Sequence, residues 1–166
     1  YNKKIKKFSK ETVSLETFFY PLDSIKNWNH IYEKKGLIQY QFILPKKFSY
    51  EGLKEILKTI SNSCYIPFLA VLKIHGKSNE NYLSFPIEGF SLSLDFKIKK
   101  GLFDFLDHID EIVVKYEGRI YLAKDSRVSK EIFQKGYPQI NAFRKFRKKN
   151  NMKMKFQSFQ SNRLDI

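Results

Sequence analysis

The chain has 166 residues, of which 42% are hydrophobic and 16% aromatic, and its formal net charge is +14 at pH 7. This length suits one domain with a core, with or without an appendage, and the apolar content excludes a disordered chain. The charge predicts attraction to the phosphates of nucleic acid, anionic lipid or a phosphorylated ligand, without choosing among them.

Two kinds of site are disfavoured by the residue types present. Cys64 is the single cysteine, so no internal disulfide can form. The three histidines are scattered without ligand spacing, so we expect no metal site.

We find no signal peptide and no apolar run near the roughly 20 residues of a membrane span, and we expect a cytoplasmic or membrane-associated protein. The chain opens on Tyr1 within a basic segment, which suggests part of a longer protein.

The first half of the chain predicts one irregular segment, two strands and a helix. Residues 1–35 are predicted to be irregular, with an aromatic patch at positions 18–20. Alternating residues then predict a strand at 36–45. Ser49 is the expected N-cap of a helix with apolar residues at helical spacing. A second strand is predicted at 65–74, followed by a loop at 75–88.

The second half predicts two more strands, a helix between them and a basic appendage. The strands are predicted at 90–98 and 119–123, and Gly101 precedes the helix between them. The order βαββαβ predicts an α+β, ferredoxin-like antiparallel sheet with both helices on one face and the other face free to bind. After Ser129 the pattern indicates short helices that end in a strongly basic tail.

The polar side of the predicted sheet is the candidate binding surface. Alternation places Gln39 and Gln41 on one side of the first strand, and Ser91 and Ser93 on one side of the third. Uncharged hydrogen-bonding groups suit a sugar or another hydroxyl-rich ligand, although an ordinary solvent-facing sheet remains an alternative. The same strand order occurs in RNA-recognition modules, but here serine and leucine stand where base-stacking aromatics are needed. We therefore expect no nucleic acid partner.

Several segments taken together resemble the decaprenylphosphoryl-ribose oxidase family, within the vanillyl-alcohol-oxidase superfamily of FAD enzymes. The segments run in order along the chain: FFYPLDSIKNWN (18–29), GLIQYQFILP (36–45), VLKIHG (71–76), LSFPIEGFSLSLDFKIKKGL (83–102) and GRIYLAKDSR (118–127). The resemblance implies the C-terminal part of such an enzyme. It also implies a partial substrate-binding domain over 1–118, and a segment over 119–166 that returns to an FAD-binding domain outside this chain.

The resemblance also implies a chemistry and a set of site residues. The C2 hydroxyl of a polyprenyl-phosphoryl ribose would be oxidised to a keto sugar, and a partner short-chain reductase would complete the conversion to arabinose for cell-wall polysaccharide. Lys124 would face the isoalloxazine of FAD, where its charge stabilises the anionic reduced flavin, and Tyr121 would lie beside it. The family's substrate-binding positions fall on six residues: Tyr20, Gln39, Gln41, Lys73, Ser91 and Ser93.

One feature departs from the family pattern, and one other class of protein remains open. Mycobacterial members have an Asn and a Cys at the positions of Ser91 and Ser93, so the polarity of the pocket is kept while the thiol is lost. The competing class is a stand-alone basic module that binds RNA or an anionic membrane. A peripheral contact with an anionic membrane is also expected for the oxidase, through a cluster of five cations: Arg144, Lys145, Arg147, Lys148 and Lys149.

Overall fold

The computed structural model describes residues 12–27, 30 and 34–166, which fall into two compact units, Tyr1–Lys34 and Lys35–Ile166. In the first unit, α1 comprises Leu15–Phe19, and a 3-10 turn follows at Pro21–Ser24. Ser14 caps α1, because its hydroxyl accepts a hydrogen bond from the amide of Thr17. Part of the segment predicted to be irregular is therefore helical.

The second unit is built on a four-stranded antiparallel sheet. Its strands are β1 (Leu37–Pro45), β2 (Leu69–His75), β3 (Gly89–Lys97) and β4 (Arg119–Ile120). They lie in the order β2-β3-β1-β4, with β1 and β3 paired along their full lengths at the centre. This order is that of the ferredoxin-like sheet, so the α+β prediction is confirmed.

Six helices accompany the sheet. They are α2 (Ser49–Ser61), α3 (Leu102–Lys115), α4 (Lys130–Gly136), α5 (Ile140–Lys149), α6 (Met152–Lys155) and α7 (Phe159–Leu164). The last four form the predicted C-terminal helical segment, and the boundary at residue 118 stays a prediction. None of the helices within the described ranges is long and apolar enough to cross a membrane.

The hydrophobic core lies between α2, α3 and one face of the sheet. The sheet contributes the alternate residues Tyr40, Phe42, Leu92 and Leu94, and we call this side the core face. The two helices contribute Ile56, Ile60, Leu102, Leu106, Ile109, Ile112 and Val113. Burial of these side chains is the main source of stability for the layered arrangement. Both helices therefore cover one face, as predicted.

Three local predictions are wrong. The second strand comprises Leu69–His75 and not 65–74, and the other two errors each have a physical cause. Ser49 is the first residue of α2 and not its N-cap, because its hydroxyl donates back to the carbonyls of Leu44 and Pro45. The fourth strand ends at Ile120 and not at residue 123, because the chain then turns and the amide of Lys124 bonds the carbonyl of Tyr121. The lysine therefore stands in a turn just beyond the sheet.

Candidate functional site

The side of the sheet opposite the core carries the predicted polar residues. Gln39 and Gln41 alternate with core residues of β1, and Ser91 and Ser93 alternate with core residues of β3. The register pairs Gln41 with Ser93 across the two strands. All four side chains therefore belong to the face that we call the polar face.

The centre of the polar face is buried, which corrects the expectation of a face free to bind. Gln41 is 6% exposed, Ser93 is 7% exposed and Ser91 is fully buried. Bases could not stack on side chains that are this inaccessible, so the centre of the sheet offers no platform of the RNA-recognition type. Access to the polar face is instead confined to its margin.

A cavity of about 430 Å³ opens at that margin. We call it the polar-face cavity, and its lining residues are Gln41, Lys73, His75, Phe85, Pro86, Tyr121 and Lys124. They come from β1, β2, the loop before β3 and the turn after β4. Four of the predicted site residues, Gln41, Lys73, Tyr121 and Lys124, are thus brought together by the fold.

The charge of the polar-face cavity is positive. Lys73 and Lys124 are both exposed, and no carboxylate lines the cavity with them. Neither ammonium forms an ion pair with any residue in the described part of the chain. Two unneutralised cations at one cavity favour an anionic ligand, for which an ammonium group is a suitable point-charge partner.

Backbone hydrogen bonds place Tyr121 and Lys124 at the cavity. The amide of Tyr121 donates to the carbonyl of Gln41 at 2.8 Å, which extends the pairing of β4 with β1 by one residue. The chain then turns, and the amide of Lys124 donates to the carbonyl of Tyr121 at 3.0 Å. Gly118 allows the chain to pass this close to β1, because a Cβ at position 118 would lie 2.6 Å from the carbonyl oxygen of Ile43.

Asp125 holds the turn in place through hydrogen bonds to four residues. Its carboxylate accepts the amides of Arg127 and Val128, at 2.9 and 2.7 Å, and it also accepts from Arg163 and Gln160 of α7. Burial raises the pKa of Asp125, but the Arg163 guanidinium and the two amides outweigh it and hold the pKa below its ordinary value. The carboxylate next to Lys124 is therefore already committed to other partners.

Arg127 ties the same turn to α3. Its guanidinium donates to Asp107 and, at 2.8 Å, to the buried Asp110, whose other oxygen accepts the hydroxyl of Tyr40 at 2.7 Å. Burial raises the pKa of Asp110 to about 6, against the lowering effects of Arg127 and Tyr40. The polar residues of the Lys-Asp-Ser-Arg stretch are therefore not a solvated turn, because Asp125 and Arg127 anchor it.

Four of the eight predicted site residues do not line the polar-face cavity, and two of these four, Ser91 and Ser93, are buried in the sheet. Gln39 is half-buried, and its amide donates to Asp95 at 2.7 Å across the β1–β3 pair. Tyr20 follows α1 in the first unit and is 61% exposed. Neither residue is placed against a ligand here, and their roles stay predictions.

Three residues of the cavity, His75, Phe85 and Pro86, were not predicted as site residues. All three were placed in a loop at 75–88, whereas β2 continues through His75; Phe85 does lie in that loop, but its side chain is buried. The Phe85 ring lies 4.4 Å from the Tyr121 ring and 6.0 Å from the His75 ring, so the three form one wall. The alternation of Lys73 and His75 was the signal, because it predicts that both face the same side of β2.

The basic cluster on α5 is smaller than its sequence suggests. Arg147 is buried and donates to the carbonyl of Phe156, and Arg144 donates to the carbonyls of Leu164 and Asp165. Lys145, Lys148 and Lys149 are exposed. Two of the five cations are thus structural contacts, and three face solvent.

Comparison with known proteins confirms the resemblance drawn from the sequence. The chain is 38% identical over 153 residues to the decaprenylphosphoryl-beta-D-ribose oxidase of Mycolicibacterium smegmatis, a match that covers 92% of this chain and 33% of that protein. It is also 34% identical over 96 residues to a Streptomyces coelicolor protein named as an uncharacterized protein in the mprA 5' region, covering 57% of this chain and 26% of that protein. No protein-family model matches the chain. The chain is therefore similar to an oxidase of that name and spans about a third of its length.

Proposed function

We propose that this chain forms the substrate-binding part of an FAD-dependent oxidoreductase that oxidises the C2 hydroxyl of a polyprenyl-phosphoryl ribose or a related sugar. The observation that carries the proposal is the polar-face cavity, where Gln41, Lys73, Tyr121 and Lys124 meet although they come from three separate segments. The similarity to an oxidase that is named for such a substrate supports the same chemistry.

The chemical character of the cavity suits a sugar phosphate. Gln41 offers both a donor and an acceptor to sugar hydroxyls, and the ammonium of Lys73 is available to a phosphate because it has no partner among the described residues. The absence of a lining carboxylate favours an anion over a neutral sugar alone. We infer that Lys73 binds the phosphate and that Gln41 orients the sugar ring.

One wall of the cavity has the character expected beside a flavin. Tyr121 packs on Phe85 at 4.4 Å, which gives an aromatic surface next to the ammonium of Lys124. The planar isoalloxazine fits such a surface, and Tyr121 and Lys124 would contact it. When bound, FAD supplies the two-electron acceptor for oxidation of the hydroxyl to a ketone. Lys124 holds a positive charge where negative charge develops during that oxidation.

Two partners belong to the same proposal. The keto sugar would pass to a short-chain reductase, since the ketone must be reduced to a hydroxyl before arabinose is formed. The exposed residues Lys145, Lys148 and Lys149 of α5 would contact the anionic membrane that holds the lipid-linked substrate. The half-exposed ring of Phe146 lies on the same helix and adds an apolar contact for the lipid interface.

The test is anaerobic bleaching of the flavin by polyprenyl-phosphoryl ribose in the complete FAD-containing enzyme, of which we propose this chain to be the C-terminal part. We expect bleaching with the ribose compound and none with its 2-deoxyribose analogue, because the analogue lacks the hydroxyl that is oxidised. Equal bleaching by the two compounds would contradict oxidation at C2. No bleaching by either would remove the oxidase proposal.

A further inference from the structure

His75 is the last residue of β2, and it faces the polar-face cavity. The register pairs Lys73 with Ser91 and His75 with Gly89, so Lys73 and His75 lie two residues apart on the polar face. Both residues line the cavity with Gln41 and Lys124. No role has been assigned above to this imidazole.

One side of the imidazole is held in place by the protein. Nε2 of His75 and the hydroxyl oxygen of Ser91 are 2.8 Å apart and share a hydrogen bond, and Ser91 is fully buried. The ring also meets Phe85 edge-to-face, with an interplanar angle of 88°. A hydrogen bond and a ring contact together define the orientation of the imidazole.

The other ring nitrogen is uncommitted. Within the described part of the chain, Nδ1 of His75 has no hydrogen-bond partner. Because a serine hydroxyl can rotate, Ser91 either donates to Nε2 or accepts from it, and Nδ1 is then a donor or an acceptor respectively. The pair therefore adapts to either a hydroxyl or an anionic oxygen.

We propose that His75 is a ligand-contacting residue of the polar-face cavity, and that its Nδ1 bonds an oxygen of the bound sugar phosphate while Ser91 orients the ring. The ligand class rests on the proposed function. The contact is additional to those of Lys73 and Lys124, and it makes Ser91 a positioning residue that does not itself touch the ligand. His75 would discriminate among sugars according to whether the ligand places an oxygen within hydrogen-bonding distance of Nδ1.

Two substitutions test the two ring nitrogens of His75 one at a time. His75→Asn keeps a polar atom near the position of Nδ1 and gives up the bond to Ser91. His75→Gln keeps one near the position of Nε2 and gives up Nδ1. The 15N-labelled chain and both variants are titrated with ribose 1-phosphate, followed by the chemical shifts of the cavity residues, with Lys73→Ala as a reference variant.

We expect His75→Gln to weaken binding of ribose 1-phosphate by about three- to tenfold, the loss of one hydrogen bond, and His75→Asn to weaken it by less. Thermal unfolding should show the reverse order, since only His75→Asn gives up the contact with Ser91. Unchanged binding in both variants, with Lys73→Ala still weakened, would overturn the role of His75 and leave the proposed function intact. No binding by the unsubstituted chain would overturn this inference, whereas failure of flavin bleaching with binding intact would remove only the oxidase proposal.

Discussion

The carboxylate of Asp125 lies 2.6 Å from the guanidinium of Arg163, a residue 38 positions later in the chain. This ion pair joins the turn that carries Lys124 to α7. The same guanidinium donates to the carbonyl of Val128, so Arg163 spans both ends of the anchored stretch. A residue near the C-terminus thus supports the position of a cation in the cavity.

Arg163→Ala should therefore lower the free energy of unfolding by about 1–3 kcal/mol, because it leaves the buried oxygen of Asp125 without its charged partner. Urea denaturation measures the loss. Asn162→Ala is the matched control, since Asn162 is an exposed neighbour on the same helix and should change stability by less than about 0.5 kcal/mol. Equal stabilities for the two variants would show that the ion pair contributes nothing.

The stabilising effect of Asp125 should disappear at acid pH. Since its pKa is lowered in the folded protein, its contribution is complete above the ordinary aspartate pKa of about 3.9 and is lost as the pH falls through the folded-state value. The difference in unfolding free energy between the wild-type protein and Asp125→Asn should shrink below about pH 4. A difference that stays constant from neutral to strongly acid pH would contradict this assignment.

Asp110 should have the opposite pH dependence. Its folded-state pKa is raised to about 6, so between about pH 4 and pH 6 the unfolded chain gives up a proton that the folded protein retains. The free energy of unfolding should therefore fall by up to about 3 kcal/mol as the pH rises from about 4 to about 6, and it should level off at higher pH. Denaturation of wild type and Asp110→Asn across the interval checks this, and the variant should lack that part of the slope. Parallel curves would place the titration elsewhere.

The sheet could be predicted because the residue pattern that specifies each strand lies within a short stretch of sequence. Gln41 and Phe42 alternate with the period of a strand, and the order of the elements then restricts the topology to very few choices. The end of the fourth strand was not predictable, because the turn at Lys124 depends on partners distant in sequence. His75 was missed for a related reason, since its pairing opposite Gly89, which extends the edge strand to this residue, joins positions distant in sequence. Local sequence patterns therefore predict the sheet, whereas the site also depends on contacts between residues that are distant in sequence.

Neutralising the exposed lysines of α5 should weaken binding to anionic vesicles. Each of Lys145, Lys148 and Lys149 contributes on the order of 1 kcal/mol near such a surface, so the triple alanine variant should bind about ten- to a hundredfold more weakly at low salt. Vesicle sedimentation measures the loss, which should diminish as added salt screens the charges.

The matched control removes the same charge from another part of the surface. Lys77, Lys99 and Lys100 are also exposed, and their triple alanine variant should bind vesicles nearly as the wild type does. Equal weakening in the two variants would mean that net charge, and not α5, is responsible. Tight, sequence-dependent RNA binding that persists at high salt would favour the alternative of a basic RNA-binding module.

This chain alone should not retain FAD. Its sequence contains no glycine-rich phosphate loop, and in our proposal the polar-face cavity of about 430 Å³ would contact only the isoalloxazine part of FAD. After incubation with excess FAD and gel filtration, the visible absorbance of the protein should show far less than one flavin per chain. A yellow protein with stoichiometric flavin would show that the 166 residues contain a complete cofactor site.

In the complete FAD-containing enzyme, Lys124→Ala should slow flavin bleaching by polyprenyl-phosphoryl ribose. The substitution removes a cation from the cavity in which negative charge would develop during the proposed oxidation, and the loss of one preorganised electrostatic group of this kind typically costs about 10²–10³ in rate. Lys124→Arg should not restore the rate, because a planar guanidinium does not occupy the space of a compact ammonium. Anaerobic stopped-flow measurement of the bleaching rate provides the comparison.

Two controls separate this role from that of a surface lysine. Equal FAD content must be confirmed for every variant, and Lys145→Ala, which removes an exposed lysine from α5, should bleach at the wild-type rate. Because Lys124 has no ion-pair partner among the described residues, its removal should change the unfolding free energy by less than about 0.5 kcal/mol, so a slow rate would not reflect loss of the fold. Equal bleaching rates for wild type and Lys124→Ala would exclude Lys124 from the reaction, and Asp125 and Arg127 would then anchor a turn that has no catalytic role.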